Sequence, residues 1–146
     1  MKKKILFALM LLSAVCVVRA AEPQKSFVNV AAAQDEKVAE IKFDTLTHDF
    51  GTFLEAEPVV KCVFRFTNVG TAPLVIHQAI ASCGCTVPTY TKDPVQPGAK
   101  GQIEVTYNGK GKFPGPFQKI VTVRYNSKNP KEKVNLVVKG NMKAAE

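Results

Sequence analysis

The sequence predicts an all-β sandwich of about seven strands, and three observations lead there. Apolar and polar residues alternate with a period of two, no window after residue 40 carries a sustained helical stripe, and turn-forming residues interrupt the chain at the spacing of a sandwich. The chain has 146 residues, 46% of them hydrophobic and 22% charged. That is enough for one core and too short for a multidomain enzyme with a separate cofactor fold.

Taken in order, strands are expected near 41–53, 59–67, 73–81, 86–91, 101–107, 117–126 and 133–139. In the second, Val60, Cys62, Phe64 and Phe66 share one face while Lys61, Val63, Arg65 and Thr67 take the other. Ile103, Val105 and Tyr107 alternate with Glu104 and Thr106, Val121, Val123 and Tyr125 with Thr122 and Arg124, and Val134, Leu136 and Val138 with Asn135 and Lys139. Between them lie Asn68-Val69-Gly70 with Pro73, then Pro94, Pro97-Gly98, Asn108-Gly109, Pro114-Gly115-Pro116 and the stretch from Asn126 to Pro130. Residues 68–73 are read as reversing the chain into a hairpin, and Gly109-Lys110-Gly111-Lys112 as a hairpin tip. An antibody-type domain is disfavoured, because the chain has no Trp and so no Cys…Trp…Cys frame.

The N-terminus carries an address. A basic start, an apolar run from Ile5 to Val18 broken only by Ser13, and small residues at Val18 and Ala20 form a secretory signal peptide over residues 1–20, cleaved between Ala20 and Ala21. The run is too short for a stable transmembrane anchor, and Val15 is bulkier than the residue lipoprotein processing prefers before Cys16. The expected product is secreted across the inner membrane, periplasmic or extracellular. Residues 21–40 read as a flexible tether, 41–141 as the domain and 142–146 as a tail. Cleavage removes Lys2, Lys3, Lys4 and Arg19 and leaves 16 basic against 12 acidic residues. The remaining lysines are scattered, without the clustered Arg and aromatic interleaving of a nucleic-acid groove.

Three cysteines remain after cleavage, so one bridge at most can form within the chain. Cys62 belongs with the Phe64 and Phe66 face and reads as a small core residue. In extended chain, Cys83 and Cys85 would have Cα atoms roughly 6.5–7 Å apart, at the limit for a disulfide. A bridge between them needs a bend at Gly84 and is expected to be strained, hence the more easily reduced. For Cys62–Cys83, counting from a hairpin at 68–73 leaves an offset of roughly 13 Å, and parity also opposes it.

As soft thiolates, Cys83 and Cys85 suit copper(I) or zinc, but the further ligands in reach of the sequence are Cys62, His48 and His77. His77 would lie about 20 Å from Cys83 along an extended strand. No metal, cofactor or catalytic residue is therefore assigned. A nucleophile elbow, a phosphate loop and a zinc-protease helix are all missing. Asp44-Thr45-Leu46 resembles a short O-glycosylation acceptor of some Gram-negative anaerobes, which marks Thr45.

The succession His48-Asp49-Phe50-Gly51-Thr52, Phe64-Arg65-Phe66-Thr67-Asn68-Val69-Gly70, Pro73-Leu74-Val75-Ile76, Ser82-Cys83-Gly84-Cys85-Thr86 and Pro97-Gly98 resembles a bacterial secreted family, the domain of unknown function numbered fifteen-seventy-three. That family is related to the Hydin-like (ASH) immunoglobulin-like domains. The resemblance spans about residues 42–140, implies an immunoglobulin-like β-sandwich, in agreement with the sandwich of about seven strands that alternation indicates, and supplies no reaction. Cys83 and Cys85 fall on its motif and Cys62 falls outside it. The expected function is a non-enzymatic exported module that binds an envelope or extracellular protein. The alternative is a thiol-redox or copper-handling protein working through Cys83, Gly84 and Cys85.

Overall fold

Alternating side chains can bury one face of a strand only if a second sheet covers it, and that is the architecture found. The computed structural model describes residues 36–144. Its strands are β1 (Ile41–Phe43), β2 (Thr47–Leu54), β3 (Val59–Asn68), β4 (Ile76–Ala81), β5 (Thr86–Tyr90), β6 (Lys100–Asn108), β7 (Gly115–Tyr125) and β8 (Val134–Lys143). They form two four-stranded sheets ordered β1-β3-β6-β5 and β2-β8-β7-β4. The core is the set that period two picked out: Cys62, Phe64 and Phe66 from β3, Ile103 and Val105 from β6, Val121 and Val123 from β7, Leu136 and Val138 from β8. Each large apolar side chain so enclosed contributes about 1.5–3 kcal/mol relative to exposure.

The expected strand at 41–53 is two strands in different sheets. β1 pairs antiparallel with β3, whereas β2 pairs parallel with β8. The chain changes sheets at residues 44–46, where Asp44 N–H donates to Arg65 O and Leu46 O accepts from Val137 N–H. A bulge follows: the β2–β8 register shifts between Asp49 and Thr52, Gly51 sits at φ 65°, and its N–H donates to Asp49 Oδ1 at 2.8 Å. The extra residue returns Phe53 to the inner face, opposite the buried Met142.

Two expected hairpins are likewise crossings between sheets. β3 pairs with β1 and β6, so residues 69–75 carry the chain across the sandwich to β4, whose strand begins at Ile76. Residues 109–114 cross between β6 and β7 in the same way. Turn residues register a reversal but not which sheet receives the chain.

The first crossing is organised by Asn68, fully buried at the end of β3. Its Nδ2 donates to Ala72 O and to Val95 O, both at 2.8 Å, and its Oδ1 accepts from Gly70 N–H at 3.0 Å. Its backbone N–H donates to Ala99 O and its O accepts from Gly98 N–H. Gly70 must be glycine for space: a Cβ there would lie 2.2 Å from Val38 O. That contact brings in residues given above to the tether. Val38 O accepts from Thr71 and Ala72, Glu40 O accepts from Val69, and Ala39 is buried. At the other end β8 runs to Lys143, so Met142 belongs to the core and not to a tail. Residues 1–35, including the signal-peptide and most of the tether, lie outside the described residues.

Asn126 makes a second, more exposed clamp, accepting from Val75 N–H at 2.8 Å and donating to Pro73 O at 2.9 Å. Removing a partner from a buried polar group leaves the other unsatisfied, at a cost of about 1–3 kcal/mol per group. Asn68→Ala is therefore expected to lower the unfolding free energy by about 3 kcal/mol or more, and Asn126→Ala by about 1 kcal/mol. Urea titration of both variants measures the difference.

Candidate functional site

The motif Ser82-Cys83-Gly84-Cys85-Thr86 is the crossing from β4 to β5, the edge strands of the two sheets. Hydrogen bonds fix both ends. Ser82 N–H donates to Ile120 O at 2.8 Å, and Ser82 Oγ accepts from Ile120 N–H at 3.2 Å. Cys85 O accepts from Asn108 N–H at 2.8 Å, and Cys83 O from Thr86 N–H at 3.2 Å. The last of these folds the loop back at Gly84, which is exposed. With the bend, the Cα atoms of Cys83 and Cys85 stand 5.4 Å apart and the two side chains form a disulfide. The bend that the spacing called for is present, and the Cα separation it gives lies in the ordinary range for a bridge.

Both sulfurs are half-buried, and one hydroxyl serves both. Thr86 Oγ1 lies 3.7 Å from Cys83 Sγ and 3.8 Å from Cys85 Sγ. Thr86 itself is 3% exposed. Sequence reading placed Thr86 in the motif without giving it a task. The available signal was parity, since Thr86, Pro88 and Tyr90 share a face that turns toward the core.

The other candidates are elsewhere. Cys62 is a free, buried thiol opposite Val105, which in turn faces Pro88 of β5. It has no path to the bridge. His48 packs edge-on against Phe50, with ring centroids 4.8 Å apart, and His77 is exposed on β4. Among the described residues, no three His, Cys, Asp or Glu side chains group as metal ligands. Thr45 is exposed in the turn between β1 and β2. Ala20 and Ala21 lie outside the described residues.

Two features were not anticipated. Tyr107 and Phe117 stack across the sandwich at 3.9 Å, with Phe53 edge-on to both. An open depression of about 580 Å³ covers the β2 bulge, lined in part by Asp49, Gly51, Phe117, Lys139 and Gly140. The Gly51 N–H and then Lys139, 3.3 Å away, hold the exposed Asp49 carboxyl below its ordinary range. None of its lining residues belongs to the cysteine crossing.

Two four-stranded sheets face to face, with a parallel β2–β8 pair, define an immunoglobulin-like sandwich. A Porphyromonas gingivalis protein of unknown function superposes with a TM-score of 0.60 at 13% identity, over 72% of this chain and 47% of that one. The PapD-like domain 7 of human CEP192 gives 0.55 at 11%, over 75% and 89%. The Escherichia coli chaperone DraB gives 0.50 at 12%, over 74% and 56%. This chain thus spans about half the length of the P. gingivalis protein, and at these identities the likeness is one of fold. Residues 41–142 match the model of the family described as Protein of unknown function (DUF1573), and the chain belongs to that family. No curated protein matches the sequence.

Burial, and after it the carboxylate of Glu104, pushes the Cys62 thiol from 9.0 up to about 11. The folded state then keeps a proton that the unfolded chain gives up, so stability falls as pH rises from 9 toward 11. The loss attributable to this thiol is about 2 kcal/mol. Tyr107 and Tyr125, also raised by burial, add to the decline at higher pH. Cys62→Ala is expected to flatten the 9-to-11 portion of a stability-against-pH curve measured by denaturant unfolding. An unchanged slope would show that Cys62 ionises freely in the fold.

Proposed function

We propose that the chain is a non-enzymatic exported module that binds an extended segment of an envelope or extracellular protein along β4. The observation that supports this reading is the open edge of β4, which among the described residues pairs only with β7. Ser82 and Ile120 form a hydrogen-bonded pair, and ladder alternation then turns the N–H and C=O of Ala79 and Ala81 away from β7. Ile80 between them is 51% exposed. Unpaired edge groups beside an apolar side chain suit strand addition, in which main-chain bonds supply affinity and alternate side chains supply specificity.

The other edges are blunted. β1 has three residues, β5 carries Pro88, and β2 is kinked by the Gly51 bulge. On β4 itself, Tyr90 Oη donates to His77 O, which leaves Gln78 to Ala81 as the open part. The fold of DraB, a chaperone, supports a binding role by analogy of architecture alone.

On this reading a partner recovered by crosslinking in a native envelope protects the Ala79 and Ala81 amides from hydrogen exchange. Ile80→Lys, which puts a charge on the edge, reduces affinity at least about tenfold, with the far-ultraviolet spectrum unchanged. Undiminished binding by Ile80→Lys, with no protection at these amides, would move the contact off β4. Substrate turnover by the pure protein would end the non-enzymatic reading.

A further inference from the structure

Thr86 is a buried hydroxyl with poor company. Its Oγ1 has two hydrogen-bond partners among the described residues, the sulfurs of Cys83 and Cys85, and disulfide sulfur is a weak acceptor. Enclosing a hydroxyl against weak acceptors is unfavourable. The same hydroxyl becomes a strong donor if either sulfur carries negative charge. At near-equal distances from both, rotation about one bond aims it at whichever sulfur is charged.

The bridge also contributes little to holding the chain. It closes a loop through a single residue, so the chain entropy it removes is at the bottom of the range for disulfides. The crossing is pinned instead by the bonds of Ser82, Thr86 and Cys85 to Ile120, Cys83 and Asn108, none of which uses a sulfur atom. Gly84 between the cysteines is exposed and unobstructed.

We propose that Cys83–Cys85 is a thiol–disulfide exchange centre in which the Thr86 hydroxyl stabilises the sulfur that leaves as a thiolate. The reductant is a cysteine-type thiol, RSH. Its thiolate attacks one sulfur, a new RS–S bond forms as the bond between the cysteines breaks, and the electron pair goes to the departing sulfur beside Thr86. A second thiolate attacks the sulfur of R in the mixed disulfide and releases the remaining cysteine sulfur. The products are RSSR and a two-electron-reduced Cys83/Cys85 dithiol that holds the protons of both thiols. Cys62 is buried on β3, with β6 between it and β5, so the resolving thiolate is that of a second RSH. Thr86 acts here as a positioning residue. The inference is independent of the β4 reading, because it requires no macromolecular partner to be tested.

The test uses the chain after signal removal, carrying Cys62→Ala, with thiolate followed by ultraviolet absorbance against pH and exchange followed by mass after rapid alkylation. The bridge is expected to open in reduced glutathione or in a reduced, unfolded cysteine-containing polypeptide while the far-ultraviolet spectrum stays native. Faster exchange with glutathione at equal thiol concentration assigns a small-molecule donor, faster exchange with the polypeptide assigns a protein thiol, and exchange with neither overturns the proposal. Thr86→Val is expected to slow exchange about tenfold and raise the first thiolate pKa by about one unit. Thr86→Ser restores both. Native rate and pH profile in Thr86→Val, or unfolding on reduction, overturns the proposal. If Thr86→Val does not fold, the unsubstituted Thr86 protein decides: a first thiolate that forms no more readily than in an unfolded peptide overturns it.

Discussion

One side-chain amide ties together the loops at the end of the sandwich where the chain leaves β3 for β4. The Asn68 side chain occupies both donors and its acceptor on Ala72, Val95 and Gly70, and its backbone is bound to Gly98 and Ala99. These bonds fix where β3 stops, where the Leu74–Val95 bridge forms, and how the Pro97-Gly98 turn leads into β6. The neighbouring glycine admits the Val38–Glu40 backbone, closing the end of the sheet. An apolar residue at this position would leave the Ala72 carbonyl and the Gly70 N–H without these partners and would strip the Val95 carbonyl of one of its two donors, the other being Leu74 N–H.

Period two made the interior legible, since Phe64, Phe66, Ile103, Val105, Val121, Val123, Leu136 and Val138 are all buried. The same rule misses a change of sheet, because a strand that switches layers keeps its spacing and alters only its phase. That phase change is in the chain. Ile41 and Phe43 are odd-numbered core contacts, whereas Phe50 contacts the core from an even position and Phe53 reverts after the Gly51 bulge. Asn68 was legible as a turn residue, but its hydrogen bonds to Val95, far along the chain, depend on tertiary closure.

The cysteine motif divides similarly. Spacing and Gly84 indicated that a bend would be needed, and the bend is there. That the motif joins one edge strand to another, with a buried hydroxyl beneath its sulfurs, depends on strand order and could not be counted from the sequence. Structural demand and chemical exposure are separated within a few residues: the hydrogen bonds of Ser82 and Cys85 hold the backbone, while the sulfurs of Cys83 and Cys85 remain half open.

The parallel pairing of β2 with β8 joins Thr47 to Val137 and Phe53 to Met142. During synthesis from the N-terminus, β2 has no ladder to enter until the final strand has emerged, and β7 also waits for that strand as a neighbour. Such long-range closure carries a loop-entropy cost and is slow. The two layers are therefore unequal in timing: β1, β3, β5 and β6 can pair without β8, whereas the other layer stays split into β2 and a β4–β7 pair until β8 latches them together.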